Sequence, residues 1–273
     1  METSTARMPA LYIPHGGGPC FFMDPPPQDP HAWTGMEAHL RGIAATLPAR
    51  PTALLVVSAH WECPLPTVNS GARPGMLFDY YGFPEHTYRL DYPAPGAPVL
   101  AARVRSLLAG AGIDSAEDGG RGYDHGVFVP LLLMVPDADI PVLQLSLQAG
   151  LDPAAHLEIG RALAPLRDEG VLVVGSGMSY HNLRAFLPRD ERSIDASLAF
   201  DAALTAAVGD ADPAVRDAAL SDWKRLPDAV ACHPREEHLL PLMVVAGAAG
   251  RDAGRQAFND RVFGKAVSGF RFG

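Results

Sequence analysis

Ten histidines are spread through the 273-residue chain, and three of them stand at or just beyond the ends of apolar runs. His15 follows Ala10 to Pro14, His60 follows Ala53 to Ser58, and His181 comes a few residues after Val171 to Val174. Neutral imidazole is the commonest protein ligand for a catalytic transition metal, and it also moves protons near neutral pH. Side chains that follow separate parallel strands can converge at the carboxyl edge of a sheet although they are distant in sequence. Two more histidines compete for a place there: His125 in Gly122-Tyr-Asp-His-Gly126, and His238 in His233-Pro-Arg-Glu-Glu-His238. His238 is expected to open an apolar helix, while His233 and Glu237, four apart, could instead share a helix face. Spacing alone leaves that choice open. His31, His39, His86 and His156 sit in polar or amphipathic surroundings and read as surface or supporting residues.

The elements that must position these groups are short. Ala10 to Pro14, Ala53 to Ser58, Pro141 to Leu147 and Val171 to Val174 have the length and apolar content of buried strands. Between them, Pro98 to Ala109, Asp152 to Leu166, Ser197 to Val208 and Glu236 to Ala249 repeat apolar residues at helical spacing. The alternation predicts an α/β fold, a single domain with a largely parallel central sheet flanked by helices. Asp152 before Pro153 and Ser193 before Ile194 are expected helix starts, and Gly110 and Gly170 expected stops. Thr67 to Gly96, rich in Tyr, Phe, Pro and Gly, reads as extended segments and ordered loops. Residues 1–8 are expected to form a flexible N-terminus ahead of one catalytic domain over 9–273.

Several function classes are disfavoured. A net charge of -9 opposes nucleic-acid binding, which relies on clustered Lys and Arg to displace counterions. No stretch approaches the roughly 20 apolar residues that span a bilayer, and Met1 to Ala10 lacks a signal-peptide pattern, so no membrane partner and a cytoplasmic location are expected. Cys20, Cys63 and Cys232 form no CxxC pair and are expected as buried thiols. His15-Gly-Gly-Gly18 looks like a lipase oxyanion loop, yet the chain has no Gly-x-Ser-x-Gly elbow and no Lys-Ser or Lys-Thr of a phosphate loop after it. Those glycines more plausibly serve close backbone approach beside His15. Nothing in the composition sets an oligomeric state.

Taken in order along the chain, Pro14-His-Gly-Gly-Gly-Pro19, Ser58-Ala-His-Trp61, Asp79-Tyr-Tyr-Gly-Phe-Pro84, Tyr92-Pro-Ala-Pro-Gly96, Asp124-His-Gly126, Gly175-Ser-Gly177 with His181-Asn182, and His233-Pro234 with Glu237-His238-Leu-Leu-Pro241 resemble the class III extradiol ring-cleavage dioxygenases, in the branch that includes DOPA dioxygenase. The resemblance implies a mononuclear metal site on His15, His60 and His238, with His181 and His125 as acid–base histidines. It implies Fe(II) as catalytic metal, Zn(II) in isolated protein, and a small aromatic diol and dioxygen as partners. Many enzymes of the wider superfamily carry a carboxylate where this chain has His238, and a neutral third ligand leaves the site one unit more positive.

On that reading three protein ligands leave room for both diol oxygens and dioxygen. His181 serves as base and His125 as supporting donor. Tyr81, Phe83 and Tyr92 are expected to wall the aromatic substrate. The alternatives are a zinc hydrolase, with the same three histidines activating water and Glu237 or His181 as base, and a protein that binds metal or ligand without catalysis.

Overall fold

A computed structural model describes residues 6–187 and 190–273. Four parallel strands form its centre: β1 (Ala10–Pro14), β2 (Ala53–Cys63), β5 (Val142–Gln148) and β6 (Val171–Gly177), with β6 paired to both β1 and β2, and β2 to β5. They are buried almost throughout, as expected of apolar runs too short for helices. Short strands β3 (Thr67–Asn69) and β4 (Ala116–Asp118) extend one side, and the hairpin β7 (Gly254–Val262) and β8 (Lys265–Phe272) the other, giving the order β4-β3-β5-β2-β6-β1-β8-β7. β3 runs antiparallel to β5, and β8 antiparallel to β1. Phe263 and Gly264, both at positive φ (49° and 85°), make the two-residue turn whose twist matches a hairpin.

Nine helices lie around the sheet among the described residues: α1 (Thr34–Gly42), α2 (Pro98–Gly110), α3 (His125–Met134), α4 (Pro153–Leu163), α5 (Leu183–Phe186), α6 (Glu191–Val208), α7 (Pro213–Ser221), α8 (Ala229–Cys232) and α9 (Leu240–Ala249). α9 packs on β6, β1 and β2, while α3 packs against β2 and β6. Both are apolar on every side, and all ten residues of α9 are buried. Each large apolar side chain so buried contributes roughly 1.5–3 kcal/mol.

Several expected boundaries move. β2 continues to Cys63, so His60 lies within it rather than after it. α6 starts at Glu191 instead of beyond Ser193, because the Asp190 carboxylate accepts a hydrogen bond from the Ser193 amide and caps the helix earlier. α9 begins at Leu240, leaving His238 in the preceding turn. His233 and Glu237 therefore share no helix. Asp152 caps α4 as expected, accepting from the Ala154 amide. The strand readings included none of β3, β4, β7 or β8. Of the N-terminal stretch, residues 1–5 lie outside those described, while Met8 is buried and its amide donates to the Arg167 carbonyl at 2.9 Å. No helix among the described residues is long and apolar enough to cross a membrane.

Candidate metal centre

The carboxyl ends of β1, β2 and β6 share one edge of the sheet, because these strands are parallel neighbours. His15 directly follows β1, and its amide bonds the Gly177 carbonyl at 3.1 Å. β2 stays paired with β6 only as far as Ser58, and its pairing with β5 is irregular between Val57 and Glu62, so His60 sits where the ladder loosens. β6 ends at Gly177, and the chain then carries His181, whose amide donates to the Cys232 carbonyl at 3.0 Å. His125 is the first residue of α3. His238 is held by its own carbonyl, which accepts from the Tyr12 hydroxyl at 2.7 Å and the Met178 amide at 3.2 Å. Gly177 makes that approach possible, since a Cβ there would stand 2.1 Å from the His238 oxygen.

The five imidazoles form one cluster. His15, His60 and His125 bring ring nitrogens within 4.8 Å of one another, and His181, Glu237 and His238 bring ligand atoms equally close. The groups meet, with the His238 ring 5.2 Å from His15 and 4.8 Å from His60. The His60 and His125 rings lie 3.9 Å apart, and His181 stacks on His238 at 3.3 Å. The expected ligand set of His15, His60 and His238 thus draws on both groups.

Hydrogen bonding decides which nitrogen each ring offers. The Ser176 hydroxyl donates to the Gly126 carbonyl, so His15 Nδ1, 3.0 Å from that oxygen, must be the donor to it. His60 Nδ1 faces Asp79 Oδ2 at 3.6 Å, and His238 Nδ1 donates to Glu237 Oε1 at 2.9 Å. A hydrogen on Nδ1 of His15 and of His238 leaves a lone pair on the Nε2 of each, and the Asp79 carboxylate favours the same tautomer at His60. Nε2 of His15 and Nε2 of His60 stand 3.1 Å apart, within hydrogen-bonding distance of each other. Two ligands at about 2.1 Å from one ion, subtending roughly 90–110°, give about this spacing of 3.0–3.4 Å. The donor set therefore fits a transition metal.

Burial and the neighbouring imidazoles depress the basicity of the same rings. His15 and His238 are pushed well below the usual histidine range, first by desolvation and then by adjacent histidines. Desolvation and His125 bring His60 down to about 3. These rings stay neutral at neutral pH, the form that coordinates metal. Burial pushes the carboxyls of Asp79 and Glu237 up, yet bonding to His125 and His181 respectively leaves each below its ordinary value. Asp124 is raised by burial and by Asp79. It is fully enclosed, accepting from the Ser58 hydroxyl at 2.6 Å, from Arg121 at 3.1 Å and from Gln144.

The remaining expectations divide. Tyr81 is 92% exposed, and Phe83 packs on Tyr80, whose ring meets the edge of His125 at 5.8 Å. Tyr92 is no wall: it is completely buried, and its hydroxyl donates to the Val135 carbonyl at 3.1 Å. His31 and His86 are exposed and His39 half-buried, but His156 is interior. His156 accepts from the Gln148 amide and donates to the Asp152 carbonyl, tying β5 to α4. Cys63 is half-buried, whereas Cys20 and Cys232 are buried. Gly16 and Gly18 adopt φ of 82° and 56°, turning the chain after His15. Sequence reasoning assigned no role to Asp79, Ser176 or Asp124, although Asp124 directly precedes His125 and Ser176 lies five residues before His181.

Comparison with known proteins identifies the family. Residues 9–270 match the family model described as the catalytic LigB subunit of aromatic ring-opening dioxygenase. The chain is 43% identical over 208 residues to a Beta vulgaris protein named 4,5-DOPA dioxygenase extradiol, covering 75% of each chain. It is 37% identical over 246 residues to one of the same name from Escherichia coli, covering 90% of this chain and 86% of that one. The crystal structure of an uncharacterised Escherichia coli K12 protein superposes with a TM-score of 0.77 at 32% identity, covering 98% of this chain and all of that one. The chain belongs to the LigB family of class III extradiol dioxygenases.

Proposed function

We propose that the protein opens the ring of a catechol beside its diol, using a mononuclear non-haem Fe(II) held by Nε2 of His15, His60 and His238. The observation that carries this reading is the gathering of three imidazoles at the strand ends, with Nδ1 of His15 and of His238 bonded from behind by Ser176 and Glu237, and Nδ1 of His60 turned toward Asp79. When bound, Fe(II) supplies adjacent open positions for both diol oxygens and dioxygen, together with the redox chemistry that joins them. Three neutral ligands leave the ion's charge uncompensated in the first ring of contacts, which favours an anionic catecholate.

His181 lies against His238 with its Nδ1 3.2 Å from Glu237 Oε1, so its Nε2 is left to take the phenolic proton. His125 is anchored through Nδ1 to Asp79 at 2.8 Å, and its Nε2 is placed to hold or return a proton as the ring opens. The relatives named 4,5-DOPA dioxygenase make DOPA the first catechol to try.

The test is anaerobic loading with Fe(II), then exposure to air with DOPA, caffeate, protocatechuate and simple catechols. Uptake of one dioxygen per catechol, with a yellow ring-opened semialdehyde, is expected from the iron form and not from a zinc form, since zinc has no redox chemistry. No dioxygen uptake across the panel, with ester or amide hydrolysis by the zinc form, would replace this reading with a zinc hydrolase.

A further inference from the structure

Two carboxylates face four of the five imidazoles, and they do so differently. Asp79 divides its oxygens: Oδ1 accepts from the His125 amide at 3.0 Å and from its Nδ1 at 2.8 Å, while Oδ2 faces His60 Nδ1 at 3.6 Å. Glu237 uses one oxygen for both of its rings. Its Oε1 accepts from His238 Nδ1 at 2.9 Å and lies 3.2 Å from His181 Nδ1, and Oε2 turns to Arg235 at 3.3 Å. Each carboxylate thereby spans one ring of the proposed ligand set and one ring of the proposed acid–base pair.

We propose that Asp79 and Glu237 are positioning residues, each fixing the tautomer of one ligand imidazole and one acid–base imidazole, with Asp79 needing both of its oxygens and Glu237 only one. The inference rests on the ligand set proposed above. An acceptor behind Nδ1 keeps the hydrogen there and the lone pair on Nε2, where coordination or proton transfer takes place. In Asp79→Asn the single carbonyl oxygen is claimed by the two donors of His125. The amide NH2 then faces His60 Nδ1 in place of a carboxylate oxygen, which removes the charge that favours a hydrogen there and favours moving it to Nε2, where the lone pair is surrendered. In Glu237→Gln the carbonyl oxygen still accepts from both rings. The new NH2 falls on the side of Arg235, which is half exposed and keeps its own paired contacts to Glu62 at 2.6 and 2.7 Å.

The two substitutions each remove one negative charge near the ion, so an effect of charge alone predicts equal losses. Positioning predicts unequal ones. Zinc affinity of the full chain, measured by competition with a chromophoric chelator, should fall about 10- to 100-fold in Asp79→Asn and by a clearly smaller factor in Glu237→Gln. Equal affinities, or the reverse order, would overturn the inference. So would two zinc ions per chain with the second lost in Glu237→Gln, which would assign His181, Glu237 and His238 to an ion instead. Nitrogen NMR of the zinc-loaded wild type gives a second readout that needs no variant to fold: His60 and His238 should carry their hydrogen on Nδ1, and a bare Nδ1 on either sinks the proposal. His60→Ala in the same titration separates the two claims. If it binds zinc like wild type, the ligand set falls; if it loses zinc while Asp79→Asn matches Glu237→Gln, only the positioning inference falls.

Discussion

The two ends of α9 use buried polar groups in opposite ways. Beyond its carboxyl end, Arg167 and Arg216 are each 1% exposed, yet the contacts around both are dense. Arg167 donates to the carbonyls of Met8, Ala248 and Ala249 and pairs with Asp252 at 2.7 Å. Arg216 donates to the carbonyls of Ala246, Gly250 and Asp252. The helix's unpaired terminal carbonyls and its negative dipole end are answered by two cations. At the other end, just before Leu240, His238 is also buried and bonded through Nδ1 to Glu237, while Nε2 of His15 meets only another imidazole, that of His60. Saturated polar groups hold a fold together; buried groups oriented from behind and open in front are placed for a ligand.

Substitutions at the two ends should therefore separate stability from chemistry. The largest effect is expected at the open end: His15→Ala, His60→Ala and His238→Ala should each reduce the metal retained after dialysis to background, with the circular dichroism of the fold kept. Elemental analysis checks this, and full occupancy in all three breaks the contrast. His181→Ala should keep its metal and lose turnover by about 10²- to 10⁴-fold, the usual worth of a general base; metal loss would instead make His181 a fourth ligand. At the saturated end, Arg167→Met strands the carbonyls it serves and should lower the unfolding free energy by about 3–5 kcal/mol in urea titration. Metal affinity of the folded fraction should not change.

Acid should strike the histidine end of the metal-free protein. Burial holds His233 at about 4 and His60 at about 3, below the unfolded value of about 6.5. The folded chain stays neutral at these rings while the unfolded chain takes up protons. The stability they allow is thus complete above pH of about 6.5 and is lost as pH falls toward those lower values, at about 1.4 kcal/mol per pH unit for each ring. Urea unfolding at two pH values within that window should show this slope, and His233→Gln should reduce it by one ring's share. An unchanged slope in that variant would mean His233 is not held neutral by the fold.

The strand-ending histidines were legible because parallel strands deliver their carboxyl ends to one edge, a consequence of topology that a pattern of apolar runs already implies. His125 and His238 were visible as candidates, but their places depended on a helix and a turn that periodicity misjudged. α3 is apolar all round and so has no amphipathic signal, and the apolar run after Glu236 hides a turn before α9. The short strands β3 and β4, three residues each, are too short to register as a period. Asp79 could not be linked to His60 and His125 from spacing at all, since that contact is made only by tertiary packing.

The division of the five imidazoles turns on which nitrogens meet the ion. A crystal structure of metal-loaded protein, with diffraction recorded at the metal's absorption edge, should show one ion about 2.0–2.2 Å from Nε2 of His15, His60 and His238, with His125 and His181 uncoordinated. An ion on His15, His60 and His125, or one between His181, Glu237 and His238, would contradict the division of the five imidazoles into ligands and proton carriers.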